Sequence, residues 1–300
     1  MKFLNQILAI AIVFALPAST LAQSPQSLNA TISRDACPTS SRWFDFDVYR
    51  FGELRGQAPI WQWGPGPAFF FSSGLAIDAD GAPNAYNADD TGLDYLFNAG
   101  QPGQWDGIVQ DEDGNPFVQG PDDPFPGYYI SCTALFDRTK RHDDPARFVD
   151  ATQIPYVALP GDLAERTGAR LGDIVLVFSE RTGKYSYAIF ADIGALGEGS
   201  IALAENLGIW SDARRGGSRA GVSYVVFPGS GDGRPKPADE INRRGAALTA
   251  HWSGAEGILS CAGMAADKIA NSVDRARDNK TVPAEQTPDP VERPVDAAAN

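Results

Sequence analysis

"DIVLVFSERTGKYSYAIFAD", residues 173–192, decides the fold. Residues 173–178 are a short β-rich run, SERTGKYS is polar with Gly183 placed for a turn, and YAIFAD is a second apolar run. Two such runs around a polar, Gly-containing link predict an antiparallel hairpin. Working outward, IPYVALP (154–160) and VSYVVF (222–227, closed by Pro228-Gly229) read as further strands. Helical signals are fewer. Ser200 is placed to cap SIALAENL, whose Ile201, Ala204 and Leu207 fall on one face, and Gly208 is placed to end it. A second helix is expected through ADEINRRGAALTAHW (238–252), with a weaker helical pattern around ILSCAGMAADKIANSVDRAR (258–277). The texture is β-rich with a few helices, an α+β pattern.

The chain opens on MKFLNQILAIAIVFALPASTLA, in which Lys2, an apolar stretch and Thr20-Leu21-Ala22 form the pattern of an export signal. Residues 1–22 are therefore expected to be a signal peptide, placing the protein outside the cell or in a periplasm. The apolar run is shorter than a bilayer span and contains Pro17, so no membrane span is expected. Residues 23–36 read as a loose arm, 37–277 as one domain, and 278–300, rich in Pro, Glu and Ala, as a disordered tail. A net charge of −13 argues against nucleic acid as a partner; it suits a cationic polymer, with simple maintenance of solubility as the plainer alternative. No apolar helix stripe is left to spare, so a monomer is expected.

Cys37, Cys132 and Cys261 follow the signal, and in an oxidising compartment three cysteines suggest one bridge and one leftover thiol. Cys132 lies in YYISCTAL (128–135), which alternates like a half-buried strand, whereas Cys37 and Cys261 flank the globular region. A Cys37–Cys261 bridge is expected. Only His142 and His251 exist, without metal-ligand spacing, and there is no Gly-x-Ser-x-Gly elbow, phosphate loop or dinucleotide motif. No metal and no cofactor are expected. His142 reads as a solvated loop residue and His251 as a helix-surface or packed residue.

Carboxylates are plentiful. Asp192 follows the apolar run Tyr187 to Ala191, which would desolvate it and raise its pKa, while Glu198 precedes the helix at Ser200, whose N-terminus favours an ionised group. Two carboxyls in opposed environments, joined through Gly194 and Gly197, can divide acid and base duties across a cleft, as glycosidases require. The plainer alternative is that one ends a strand and the other caps a helix. A second acidic locus is FFFSSGLAIDADGAPNAYNADDTGLDYLFNAG (69–100). There Asp78 and Asp80 alternate with apolar residues as if sharing a strand face, and Asn84, Tyr86 and Asp94 follow. Such groups bind sugar hydroxyls or an ammonium; a calcium loop and an ordinary Asp-rich turn are the alternatives, although the EF-hand pattern fails after Gly81. RRGGSR (214–219) reads as a solvated loop, and Trp61 and Trp63 as two exposures of one strand face.

IDADGAPNAYNADDTGLDYLFNAG, PGYYISCTALFD, FVDATQIPYVALP, LGDIVLVF and YAIFADIGALGEGSIALAENLGI, in that order, resemble the glycoside hydrolase family 75 chitosanases, in particular their bacterial-type relatives. The resemblance covers roughly residues 60–210, about half of the chain. It implies endo-hydrolysis of β-1,4-linked glucosamine polymers with inversion and without a cofactor, the family's essential acids matching Asp192 and Glu198. It implies cleft roles, rather than acid or base roles, for Asp78 and Asp80. The expected fold is a β-rich barrel, with double-psi as the candidate type and helices packed outside. The link from Asp192 to Glu198 is much shorter than in fungal members, and Ala79 stands where those tend to carry Cys. Three other functions stay open at this point: hydrolysis of another amino-sugar polymer such as peptidoglycan, non-catalytic carbohydrate or wall binding, and calcium-dependent adhesion built on the Asp-rich loops.

Overall fold

The computed structural model describes residues 40–261 apart from 51, 52 and 65. The expected signal, arm and tail, and Cys37 of the expected bridge, lie outside the described residues. Among the described residues, ten strands and four α-helices follow in chain order. They are β1 (Ser40–Arg50), β2 (Glu53–Trp63), β3 (Phe69–Asp78), β4 (Gly100–Gln101), β5 (Gln104–Trp105), β6 (Tyr156–Leu159), α1 (Gly161–Thr167), β7 (Ile174–Ser179), β8 (Lys184–Ile193), β9 (Glu198–Ser200), α2 (Ile201–Leu207), β10 (Ser218–Phe227), α3 (Ala238–Thr249) and α4 (Gly254–Cys261).

Six strands close on themselves in the order β3-β10-β7-β8-β6-β9, with β9 returning to pair β3. The protein is thus a closed six-stranded barrel with peripheral helices. Closure removes the exposed edges that an open sheet would present. Two of the six pairings, β3 with β9 and β6 with β8, are parallel, and the others are antiparallel. The hairpin β1–β2 is an appendage joined to β3 through Trp61↔Phe70 and Gln62↔Phe69.

The opening stretch folds as its pattern predicts. β7 and β8 pair from Ile174↔Ile189 to Ser179↔Lys184, and Gly183 takes φ +69 in the turn, a conformation that disfavours a Cβ. Every residue of β7 is buried, because one face fills the barrel and the other is covered. Part of that cover is α3. Tyr187 Oη and Thr249 Oγ1 lie 2.6 Å apart, and Gly245 brings the helix so close that a Cβ there would stand 2.2 Å from the Tyr187 ring. Within the core, Phe71 stacks on Tyr224 at 4.8 Å, one contact across the β3–β10 seam. α2 begins and ends where expected: Ser200 Oγ accepts the Leu203 N–H at 3.1 Å, and Gly208 closes it in the left-handed region at φ 65. Trp61 stacks on Phe70 and Trp63 on Trp252, so both indoles are used in packing.

Two expectations fail. Residues 128–135 are not a strand, because their backbone groups pair with several different neighbours. Tyr129 N–H donates to Tyr86, Ile130 N–H to Phe117 and Cys132 N–H to Gly107, leaving only isolated bridges. Alternation in sequence cannot make a strand without one continuous partner. RRGGSR is not simply solvated either: Arg214 donates to the carbonyls of Asp90, Gly92 and Asp94, tying this loop to the Asp-rich segment. His142 is exposed and lies edge-on to Phe117, and His251 falls in the 3-10 turn after α3.

Candidate active site

The acids converge where β3 and β8 end and β9 begins. Ala158 of β6 pairs with Asp192 on one side and with Glu198 on the other. The two acids thus stand two strands apart around the barrel, at most about 9.6 Å between backbones, with a small side chain between them. A register shift at Val157/Ala158 leaves Ala191 unmatched on β8. This bulge turns the strand end just before Asp192, a common device beside sites.

Glu198 opens β9, which runs directly into α2, so it precedes the helix start as expected, and Ser200 supplies the capping oxygen. What places its carboxylate is the loop. Oε2 accepts the Ala195 N–H at 2.6 Å, and Gly194 leaves the room this needs, since a Cβ there would lie 2.4 Å from Oε2.

Asp78 and Asp80 also come together differently from the strand alternation expected of them. Asp78 is the last residue of β3, and Asp80 sits in the following turn with its N–H donating to Asp78 Oδ1 at 2.8 Å. The turn bends the second carboxylate back beside the first. Asp80 Oδ1 then accepts the Tyr86 hydroxyl at 2.6 Å, and Tyr156 Oη donates to the Asp80 carbonyl at 3.0 Å. Tyr86 is buried, so it serves the cluster from within the protein. Asp94 is also buried; its oxygens accept Asn98 Nδ2 at 2.9 and 3.0 Å and its own neighbour's N–H at 2.7 Å. Asn84 is half-buried and holds the loop through its carbonyl, which accepts the Leu93 N–H.

Asp78, Asp80 and Asp192 each place one carboxylate oxygen within 4.8 Å of the others. Such a set could bridge a hard divalent cation, embrace an ammonium, or share protons. Burial raises the pKa of all three. For Asp80, repulsion from Asp78 and Asp192 adds to it, and the Tyr86 hydrogen bond partly offsets it. Asp192 is pushed up to about 8, by burial first and Asp78 second, while the N–H groups of Ala134 and Ile193, at 2.8 and 2.9 Å, pull the other way. Asp94 rises to about 6 through burial, partly offset by Asn98. The Cys132 thiol, beside Asp80 and Asp192 and free, is pushed well above its usual range by burial and these charges.

These shifts have a consequence for stability. An acid whose folded pKa is raised binds its proton more tightly in the native state. For Asp192 that contribution is complete below 3.8 and disappears as the pH rises through about 8, and Asp80 is shifted in the same direction. Asp80→Asn is therefore expected to gain in melting temperature relative to wild type as the pH is raised from about 4 to about 8. Parallel melting curves for the two proteins across this range would contradict the clustering.

Sequence reasoning did not single out Tyr156, Ser131 or Cys132 as neighbours of the acids. Ser131 Oγ accepts the Gly81 N–H at 3.0 Å and donates to the Gly107 carbonyl at 2.9 Å, pinning the Asp80 turn from a segment 50 residues away. No local pattern marks a contact of that range. A scan of protein-family models and a search of curated proteins find no match to this chain.

Proposed function

We propose that the protein is an exported endo-acting glycoside hydrolase cleaving β-1,4-linked glucosamine polymers by inversion, with Asp192 as acid and Glu198 as base. The observation that carries this reading is the placement of Asp192 and Glu198 at one register on either side of Ala158. Two strand spacings between backbones are compatible with the carboxyl separation of inverting enzymes, roughly 6.5–9.5 Å. Asp192 near pH 7 holds a proton to give to the glycosidic oxygen. Water attacks the anomeric carbon from the opposite face, Glu198 takes its proton, and the leaving sugar keeps the proton from Asp192. Asp78 and Asp80 would face the ammonium groups of the substrate, whose positive charge on entry favours ionisation of these buried acids, and the acidic net charge draws such a polymer in.

The test is viscosity loss and reducing-end release from highly deacetylated chitosan, beside purified peptidoglycan. Cleavage of chitosan supports the reading; cleavage of peptidoglycan alone moves the substrate; inertness on both favours a binding protein. Activity unaffected by a chelator is expected, and its loss would reassign the three-carboxylate cluster to a cation. Because Asp78 is the leading charge that raises Asp192, Asp78→Asn is expected to move the alkaline limb of the kcat/KM profile to lower pH. An unmoved limb would remove Asp192 from the role of acid.

A further inference from the structure

The segment after Asp94 carries an aromatic pair with one exposed ring. Tyr95 and Phe97 stack with ring centroids 5.3 Å apart and planes at 17°, and Phe97 is 64% exposed. The pair is nevertheless fixed. The Arg214 guanidinium sits 4.6 Å from the Tyr95 ring centroid while donating to the carbonyls of Asp90, Gly92 and Asp94. The short 3-10 turn that carries Phe97, Leu96–Ala99, is held at its start by the Leu96 N–H on Asp90 Oδ1 at 2.8 Å, and further on by Asn98 on Asp94. A large aromatic ring backed by a second ring and left in water offers one free face for stacking.

This surface is tied to the acids through few links. The Ala99 carbonyl accepts the N–H groups of Asp106 and Gly107, and Gly107 lies so close to Asp80 that a Cβ there would stand 2.7 Å from Oδ1. The exposed ring and the Asp80 carboxylate therefore belong to one braced loop assembly.

We infer that Phe97, backed by Tyr95, forms a stacking platform for a pyranose ring of the amino-sugar chain, holding the polymer beyond the residues that are cut. This rests on the hydrolase reading above and names a binding surface for it. The C–H face of a pyranose is apolar and matches an aromatic face, and the glucosamine ammonium is drawn to the negative ring face. The exposed acids of the same loop assembly, Asp89 and Asp106, supply the negative charge that favours a cationic sugar as occupant over an apolar peptide.

The experiment measures chitosan binding by affinity electrophoresis in the Glu198→Gln protein, with cleavage by the wild type followed in parallel. Adding Phe97→Ala is expected to weaken retention about three- to tenfold, the range of an aromatic contact. Phe97→Trp in its place is expected to restore it, and melting temperature is expected to fall by only a few degrees in Phe97→Ala, since a single stacking contact is lost. Retention unaltered by Phe97→Ala, or not restored by Trp, overturns the platform and leaves the hydrolase reading intact. No retention by the Glu198→Gln protein also overturns the platform, and if the wild type fails to cleave as well, the hydrolase reading falls with it.

Discussion

Asp192→Asn is expected to lower kcat on chitosan by roughly 10²- to 10⁴-fold, and Glu198→Gln by a similar factor, the range associated with loss of a positioned proton donor or acceptor. Both substitutions preserve shape. In Asp192→Asn the amide oxygen can still accept the Ala134 and Ile193 N–H groups, and in Glu198→Gln it can still accept that of Ala195, so the loop between the two positions keeps its anchors. The variants are therefore expected to melt near the wild type, with Asp192→Asn the firmer of the two at alkaline pH because it removes a carboxyl that is costly to ionise. Reducing-end release together with melting curves checks this. A folded Asp192→Asn protein that retains near-normal kcat would overturn the assignment of the acid.

Gly81→Ala is expected to unfold the site and destabilise the protein by about 3 kcal/mol or more, the sum of a strained left-handed residue and an overpacked contact. Gly81 has φ +78, and a Cβ there would meet the Val149 carbonyl oxygen at 2.1 Å, a backbone atom that cannot swing aside. Any relief must shift the turn that follows Asp80, and with it the Gly81 N–H bond to Ser131 and the carboxylate cluster. Urea unfolding at neutral pH measures the loss; a midpoint within error of wild type would show that the loop yields without strain. Gly103, also at positive φ but with open space around it, is the matched control for backbone strain alone.

The strands of the barrel were legible where apolar runs are bounded by turn residues. β7, β8 and β10 lie within the runs read for them or extend them by a few residues, because their burial is decided by composition over four to ten positions. α2 was legible for the same reason, its cap and stop residues being local. Asp192 and Glu198 could be picked out as a pair because a strand end, two glycines and a helix start lie within nine residues. Their true spacing could not. It depends on β6, which inserts between β8 and β9 and contributes Ala158, more than 30 residues upstream of either acid.

The Asp-rich segment shows the same limit from the other side. Its composition announced polar chemistry, yet the mutual approach of Asp78, Asp80 and Asp192 arises from barrel closure, a turn and a bulge. Sequence alone determined which elements form, since apolar period, caps and turn glycines act over one or two turns of chain. The tertiary structure alone decided which carboxylates share a desolvated space, because pKa shifts of this kind need burial and neighbouring charge brought together across the barrel.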